Sequence, residues 1–146
     1  MTDESSISTE EQFGIGTDIV EIQRFRNLDR DAPFYSRVFS RDELCYCRKY
    51  VDSAPHFATT FAGKEAVVKA MNSQKQLTVA GIEILRNLDG SPYVILEGTE
   101  HEVIVSLAHS DMYAVAVAMV LPNSQIDNVD KFRKLLNENV QELIPR

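Results

Sequence analysis

The sequence has no tryptophan, only two cysteines and three histidines, and no long apolar run. Each shortage closes off a class of protein. Cys45 and Cys47 stand one residue apart and make poor disulfide partners, so a disulfide-stapled scaffold is excluded. His56 and His101 have no carboxylate or cysteine at ligand spacing, which argues against a zinc centre. No stretch reaches the roughly 18 apolar residues of a membrane span. The acidic, Ser/Thr-rich start lacks the basic segment and apolar run of a secretory signal. A Walker-type phosphate loop is missing, and so is the nucleophile-base-orienter set of a hydrolase. These shortages lead to the expectation of a cytoplasmic protein with reduced thiols and no membrane partner.

What is present is a chain of 146 residues, 44% hydrophobic, enough for one domain with a real core. The net charge of −7 argues against general nucleic-acid binding. That charge is unevenly spread. Between Gln23 and Lys49, seven basic residues stand against four acidic ones, so a basic segment sits in an otherwise acidic chain. Such a segment can steer an anionic partner to its dock, or it can be a solvated face of mixed charge.

Residues 1–12 read as a disordered tail. Phe13, Ile15 and Ile19 alternate like a strand that runs into a helix near Ile19. Helical patterning continues to about Tyr50, broken at Asp31-Ala32-Pro33. Ser40 with Glu43 forms a capping box and predicts a new helix start. Pro55 opens another helix, His56 to Asn72, with Phe57, Phe61, Val68 and Met71 on its apolar side. Strands follow over 80–87 and 93–97, joined by Asn87-Leu88-Asp89-Gly90-Ser91-Pro92, and then over 102–108 and 113–121. Pro122 ends the last strand, and Val129, Phe132, Leu136, Val140 and Leu143 predict an amphipathic helix. Helices first and strands second indicate an α+β fold with helices packed on a mainly antiparallel sheet.

Three groups of residues can carry chemistry. Gly14-Ile15-Gly16-Thr17-Asp18 opens the backbone to close approach and puts a carboxylate near a strand end, a place for a hard cation or a helix cap. In Phe61-Ala62-Gly63-Lys64-Glu65-Ala66-Val67-Val68-Lys69-Ala70, Glu65 and Lys69 are four apart on one helical face. They suit a surface ion pair, or, because the helix is otherwise so apolar, a partly buried site for magnesium and phosphate. Ser106-Leu107-Ala108-His109-Ser110 closes an apolar strand with a histidine that can donate to a phosphate or remain solvated.

In this order and spacing, the three groups resemble the holo-acyl-carrier-protein synthases, the small trimeric class of 4'-phosphopantetheinyl transferases. The likeness is carried by GIGTDIVEI (14–22), RVFSRDEL (37–44), FAGKEAVVKA (61–70), the turn region 81–92 and VSLAHSDMYAVAVAMV (105–120), within a domain spanning 13–121. It implies the 4'-phosphopantetheinyl transferase fold, with sites at subunit interfaces of a homotrimer. It also implies transfer of 4'-phosphopantetheine from coenzyme A to a serine of an apo acyl carrier protein, releasing 3',5'-ADP. By position, Asp18 and Glu65 match the magnesium carboxylates and Lys69 the phosphate-facing lysine, with Lys64 its helper. Ser106 and His109 fall in the family's coenzyme A segment, and Arg24, Arg30, Phe34 and Arg37 match its carrier-docking helix. No residue is matched to the general base.

Two departures stand out. Residues 71–76 lack the family's glycine-rich loop, and 122–146 add a C-terminal helical extension. The altered loop leaves open a catalytically idle relative that binds coenzyme A or a carrier. A purely structural oligomerisation module is the reading from a different class, and it predicts no coenzyme A binding.

Overall fold

A computed structural model of the protein describes residues 12–71, 77–96, 98 and 101–144. The expected tail, apart from Gln12, and the glycine-free loop, apart from Met71, lie outside the described residues. The elements run β1 (Gly14–Glu21), α1 (Gln23–Asn27), α2 (Pro33–Val38), α3 (Arg41–Arg48), α4 (Ala54–Ala70), β2 (Ile82–Arg86), β3 (Pro92–Leu96), β4 (Glu102–His109), β5 (Tyr113–Leu121) and α5 (Val129–Glu142). Three strands form a sheet in the order β1-β5-β4, and β2 pairs with β3 in a second sheet. Every strand pair is antiparallel, so the expected α+β class with helices on antiparallel sheets is what forms.

Small residues decide how the main layers meet. Ala114, Ala116 and Ala118 of β5 are fully buried. Gly14 and Gly16 lie beside them across the β1–β5 ladder, where Gly14 pairs with Val120 and Gly16 with Ala118. This bed has almost no side-chain height, so α4 sits directly on it. A Cβ added at Gly14 would lie 2.2 Å from the Ala70 carbonyl oxygen, and one at Gly16 only 2.0 Å from that of Ala66. Overpacking of this kind costs about 1–3 kcal/mol or more. Gly16→Ala is therefore expected to destabilise the fold by about 3 kcal/mol, read as a lower denaturant midpoint. An unchanged midpoint would show that β1 and α4 are not in close contact.

The two glycine contacts also set direction. Two residues forward along β1 correspond to four backward along α4, which matches the ~6.6 Å rise of two strand residues to the ~6 Å of four helical ones. The next inward position on β1 is Asp18, which therefore stands beside the turn of α4 just before Ala66. Helix α4 shows no clean apolar side, because β1, β4, β5, β2 and the short helices all pack on it. Between Phe57 and Ala70 only Glu65, Val68 and Lys69 are not buried. That narrow stripe is where the helix can meet a ligand.

The strand expected to turn helical near Ile19 instead continues to Glu21, because its ladder with β5 runs on to Tyr113 and Ile22 then donates to the Met112 carbonyl. The capping box forms as expected: Ser40 Oγ accepts from Glu43 N and the Glu43 carboxylate accepts from Ser40 N. Aromatic side chains from α1, α2 and α4 (Phe25, Phe34, Tyr35, Phe57, Phe61), with Phe39 just beyond α2, form one cluster at that end. Cys47 is buried, and its thiol is pushed up to about 12 by burial, which leaves it unreactive. Cys45 is exposed. No described helix is long and apolar enough to cross a membrane.

Candidate active site

Asp18 and Lys69 meet across the β1–α4 contact. The Lys69 ammonium donates to the Thr17 carbonyl oxygen at 2.9 Å and to Asp18 Oδ1 at 3.1 Å. The aspartate side chain is 17% exposed and the lysine 54%, so the pair sits at a surface mouth rather than in the core. Glu65 is half-buried one turn before Lys69, on the same stripe of α4. A carboxylate and an ammonium thus border one opening, and Glu65 lies one helical turn from Lys69 along α4. A hollow of about 370 Å³ adjoins it, lined by Thr17, Asp18, Ile19, Lys69 and Leu143 among others.

This donor set suits magnesium. The ion takes one or two protein carboxylates and completes its octahedron with water and substrate phosphate. Among the described residues no three His, Cys, Asp or Glu side chains cluster as a metal cage. An ion held by Asp18 and Glu65 would accordingly draw its other ligands from solvent and substrate.

Lys64 takes a different place from the one expected. Its side chain is fully buried, and its ammonium donates to Glu43 Oε1 at 2.5 Å and to the Val38 carbonyl oxygen at 2.6 Å. Glu43 Oε2 accepts from Ile84 N at 2.8 Å. Burial pulls the lysine's pKa down and the Glu43 carboxylate opposes that pull. Every charge here is spoken for inside the protein, so Lys64 ties α2, α3 and β2 to α4 and does not face a phosphate.

Ser106 and His109 also part company. Strand residues three apart face opposite ways. Ser106 is fully buried on the side of the sheet covered by α5, together with Ile104 and Ala108. His109 is exposed at the end of β4, its Nδ1 3.0 Å from the Ser110 carbonyl oxygen, and it lines a hollow with Leu143 and Ile144. Ser106 is therefore closed off from the surface on which His109 stands. His56 lies within electrostatic reach of His109. His56, stacked on Tyr50 at 3.6 Å, has its pKa lowered by burial first and then by His109 and Arg86, with Asp52 opposing and Lys49 adding to the fall. The Arg86 guanidinium lies over the Tyr46 ring and donates to Thr60 Oγ1 at 3.2 Å, and its Nη1 is buried with no hydrogen-bond partner among the described residues.

Arg24, Arg30 and Arg37 are exposed along α1 and α2 and in the bend between them. Phe34 is half-buried in the aromatic cluster, and the Arg24 guanidinium lies 5.7 Å from its ring and 5.1 Å from that of Phe61. Between α2 and α3 a hollow of about 500 Å³ is lined by Ser36, Phe39, Arg41, Leu44, Cys45 and Arg48, an apolar floor edged by two arginines.

The sequence profile described as "4'-phosphopantetheinyl transferase superfamily" matches residues 14–118, which hold Asp18, Glu65 and Lys69. The chain belongs to this superfamily. Within the phosphopantetheinyl transferases it is similar to the holo-[acyl-carrier-protein] synthase of Thermodesulfovibrio yellowstonii, 38% identical over 109 residues, covering 73% of this chain and 96% of the relative. The synthase of Aquifex aeolicus is 40% identical over 121 residues, covering 75% and 99%. Among solved structures, the Bacillus anthracis holo-(acyl-carrier-protein) synthase in complex with CoA (3',5'-ADP) matches at TM-score 0.65 and 31% identity, over 73% of this chain and 94% of that one.

For a phosphopantetheinyl transferase, the sequence motifs point to Asp18 and Lys69, which the fold brings into contact, but give no sign of Arg86, Lys49 and His56 coming together. Arg86 lies 26 residues from Thr60 and 40 from Tyr46, and no local spacing signals those contacts.

Proposed function

We propose that the chain is a magnesium-dependent holo-[acyl-carrier-protein] synthase that moves 4'-phosphopantetheine from coenzyme A to a carrier serine and releases 3',5'-ADP. The observation that carries this reading is the Asp18–Lys69 pair at a surface mouth, in a chain of this superfamily. The synthase structure that holds CoA (3',5'-ADP) supports coenzyme A as the donor.

In the reaction, the serine oxygen bonds to the β-phosphorus and the bond from that phosphorus to the bridging oxygen of 3',5'-ADP breaks. Such transfers require positioning and neutralisation of charge more than covalent help. Asp18 and Glu65 would hold magnesium, which polarises phosphate oxygens. Lys69 has three donors and spends two on Thr17 and Asp18, which orients the third toward a phosphate at the mouth. Arg86 and Lys49, both within electrostatic reach of His56, offer a second place for the nucleotide's phosphate charge.

Arg24, Arg30, Arg37 and Phe34 would receive the carrier, with the arginine-edged hollow between α2 and α3 beside them. Reversing one docking charge removes steering and a rim contact. Arg24→Glu is expected to raise the carrier KM about tenfold at low salt with kcat little changed. A KM equal to the wild type would exclude that surface.

Assembly as a homotrimer and action in the cytoplasm belong to the same proposal. Ile15, on β1, is 62% exposed, an apolar side chain on a sheet face that another subunit can cover. The direct test is mass spectrometry of an apo carrier incubated with the protein, coenzyme A and magnesium. The expected product is the carrier plus one phosphopantetheine, abolished by a chelator. An unchanged carrier mass would refute the proposal.

A further inference from the structure

Lys64 is the largest fully buried side chain among the described residues, and it brings a charge into the interior of the protein. Stability alone does not account for it. Exchanging a buried ion pair for apolar side chains of like volume is often neutral, because desolvation offsets the attraction between the charges. What such a pair supplies beyond an apolar one is direction. Hydrogen bonds hold their partners at set distances and angles, whereas apolar contacts can slide.

The partners of Lys64 show what is being held. The ammonium donates to the Val38 carbonyl oxygen at 2.6 Å and to Glu43 Oε1 at 2.5 Å. The same Glu43 oxygen accepts from Ser40 N at 2.8 Å, and Oε2 accepts from Ile84 N at 2.8 Å. One ammonium and one carboxylate thus clasp the end of α2, the start of α3, β2 and α4. The Cys47 Sγ–Thr60 Oγ1 contact that also joins α3 to α4 is long by comparison, at 3.8 Å. Arg37 directly precedes Val38, and Glu65 directly follows Lys64. On one side of the clasp stands the surface given above to the carrier. On the other stands the helix that bears Glu65 and Lys69.

We propose that Lys64, acting through Glu43 and the Val38 carbonyl, is a positioning residue for the transfer: it sets the distance from the carrier dock on α1 and α2 to the phosphate-facing helix α4. This rests on the transferase reading above. Carrier serine and donor phosphorus arrive on different elements, and reaction needs the two atoms within about 3–3.5 Å of each other. Replacing a 2.6 Å hydrogen bond by an apolar contact of about 3.5–4.0 Å moves the joined segments by about 1 Å. A misplacement of that size costs about 100-fold in rate.

The test uses the full-length protein and the double variant Lys64→Met with Glu43→Met, which removes the pair without leaving a lone buried charge. At saturating coenzyme A, its kcat for an apo carrier is expected to fall about 100-fold. The carrier KM should stay within about twofold of wild type, because the docking side chains are untouched. Glu43→Gln keeps the side-chain volume and is the milder variant, with kcat expected about tenfold lower. Val140→Ala, buried under α5 on the other face of the sheet, is the control for lost stability and should keep kcat. Nitroxides on Cys45, exposed on α3, and on Leu135→Cys, exposed on α5, report the geometry without turnover, and buried Cys47 stays unlabelled. Their distance distribution should broaden in the double variant. Wild-type kcat in either pair variant, a loss that lies wholly in KM, or an equal fall in Val140→Ala would overturn the inference. An unchanged distance distribution would overturn it too. Absence of transfer by the wild-type protein refutes the transferase reading separately, while the distance distribution still decides whether the pair holds α3 in place.

Discussion

Asp18→Ala and Glu65→Ala are each expected to lower phosphopantetheine transfer by about a thousandfold with little loss of stability. Stabilisation of transition-state charge by a bound metal contributes several kcal/mol, and each 1.36 kcal/mol is tenfold in rate, so losing one carboxylate ligand is felt on that scale. The structural cost is small by comparison. Asp18 gives up one ion pair with a lysine that is more than half exposed, and pairs of that kind are worth about 0–1 kcal/mol. Glu65 stands on the non-buried stripe of α4, where truncation opens no cavity. Activity and thermal midpoint should therefore separate: transfer near background, midpoint within a few degrees of wild type. Wild-type turnover by either variant at ordinary magnesium would remove the metal assignment. A variant that loses activity only by unfolding would reassign the residue to the scaffold.

Lys64→Met is expected to do the opposite, destabilising the protein strongly before any chemistry is considered. Glu43 would keep its capping bond to Ser40 N and its bond from Ile84 N, but its charge would be buried without a counter-charge. Removing one partner of a buried ion pair costs about 3–5 kcal/mol, whereas replacing both with apolar groups of similar volume is often neutral. The double variant Lys64→Met with Glu43→Met should accordingly recover part of the loss. Full recovery is not expected, because the Val38 carbonyl oxygen and Ile84 N would also lose partners. Urea denaturation of the two single variants and the double variant completes the cycle. A single Lys64→Met variant as stable as wild type would contradict the buried pair.

Adjacent residues Lys64 and Glu65 illustrate what can be read from a sequence and what cannot. The motif shows two charges in an apolar helix and correctly marks the helix as special. Which charge faces inward depends on the helix's neighbours, and α4 is buried nearly all round, so no amphipathic pattern fixes its rotation. Only the approach of Gly14 and Gly16 to Ala70 and Ala66 does so. In the same way, Ser106 and His109 look like one segment, yet the two-residue period of a strand sends them to opposite faces; weighing that period over the segment's continuity would have separated them in advance.

Local rules worked where local physics dominates. The Ser40–Glu43 box, the β4–β5 hairpin and the C-terminal helix were all legible, since capping, alternation and amphipathic spacing need no distant partner. The Glu83 carboxylate accepting from Ser40 Oγ, Arg86 over Tyr46, and Leu143 beside Asp18 are brought together only by the fold.

The central claim is that Asp18 and Glu65 act together on a metal-bound diphosphate with Lys69 beside it. Crystals grown with coenzyme A and manganese in place of magnesium test this most directly, because manganese is visible by its anomalous scattering. The expected result is one peak within bonding distance of both carboxylates and of the pyrophosphate. A peak that touches only one carboxylate, or a pyrophosphate seated away from Lys69, would contradict it.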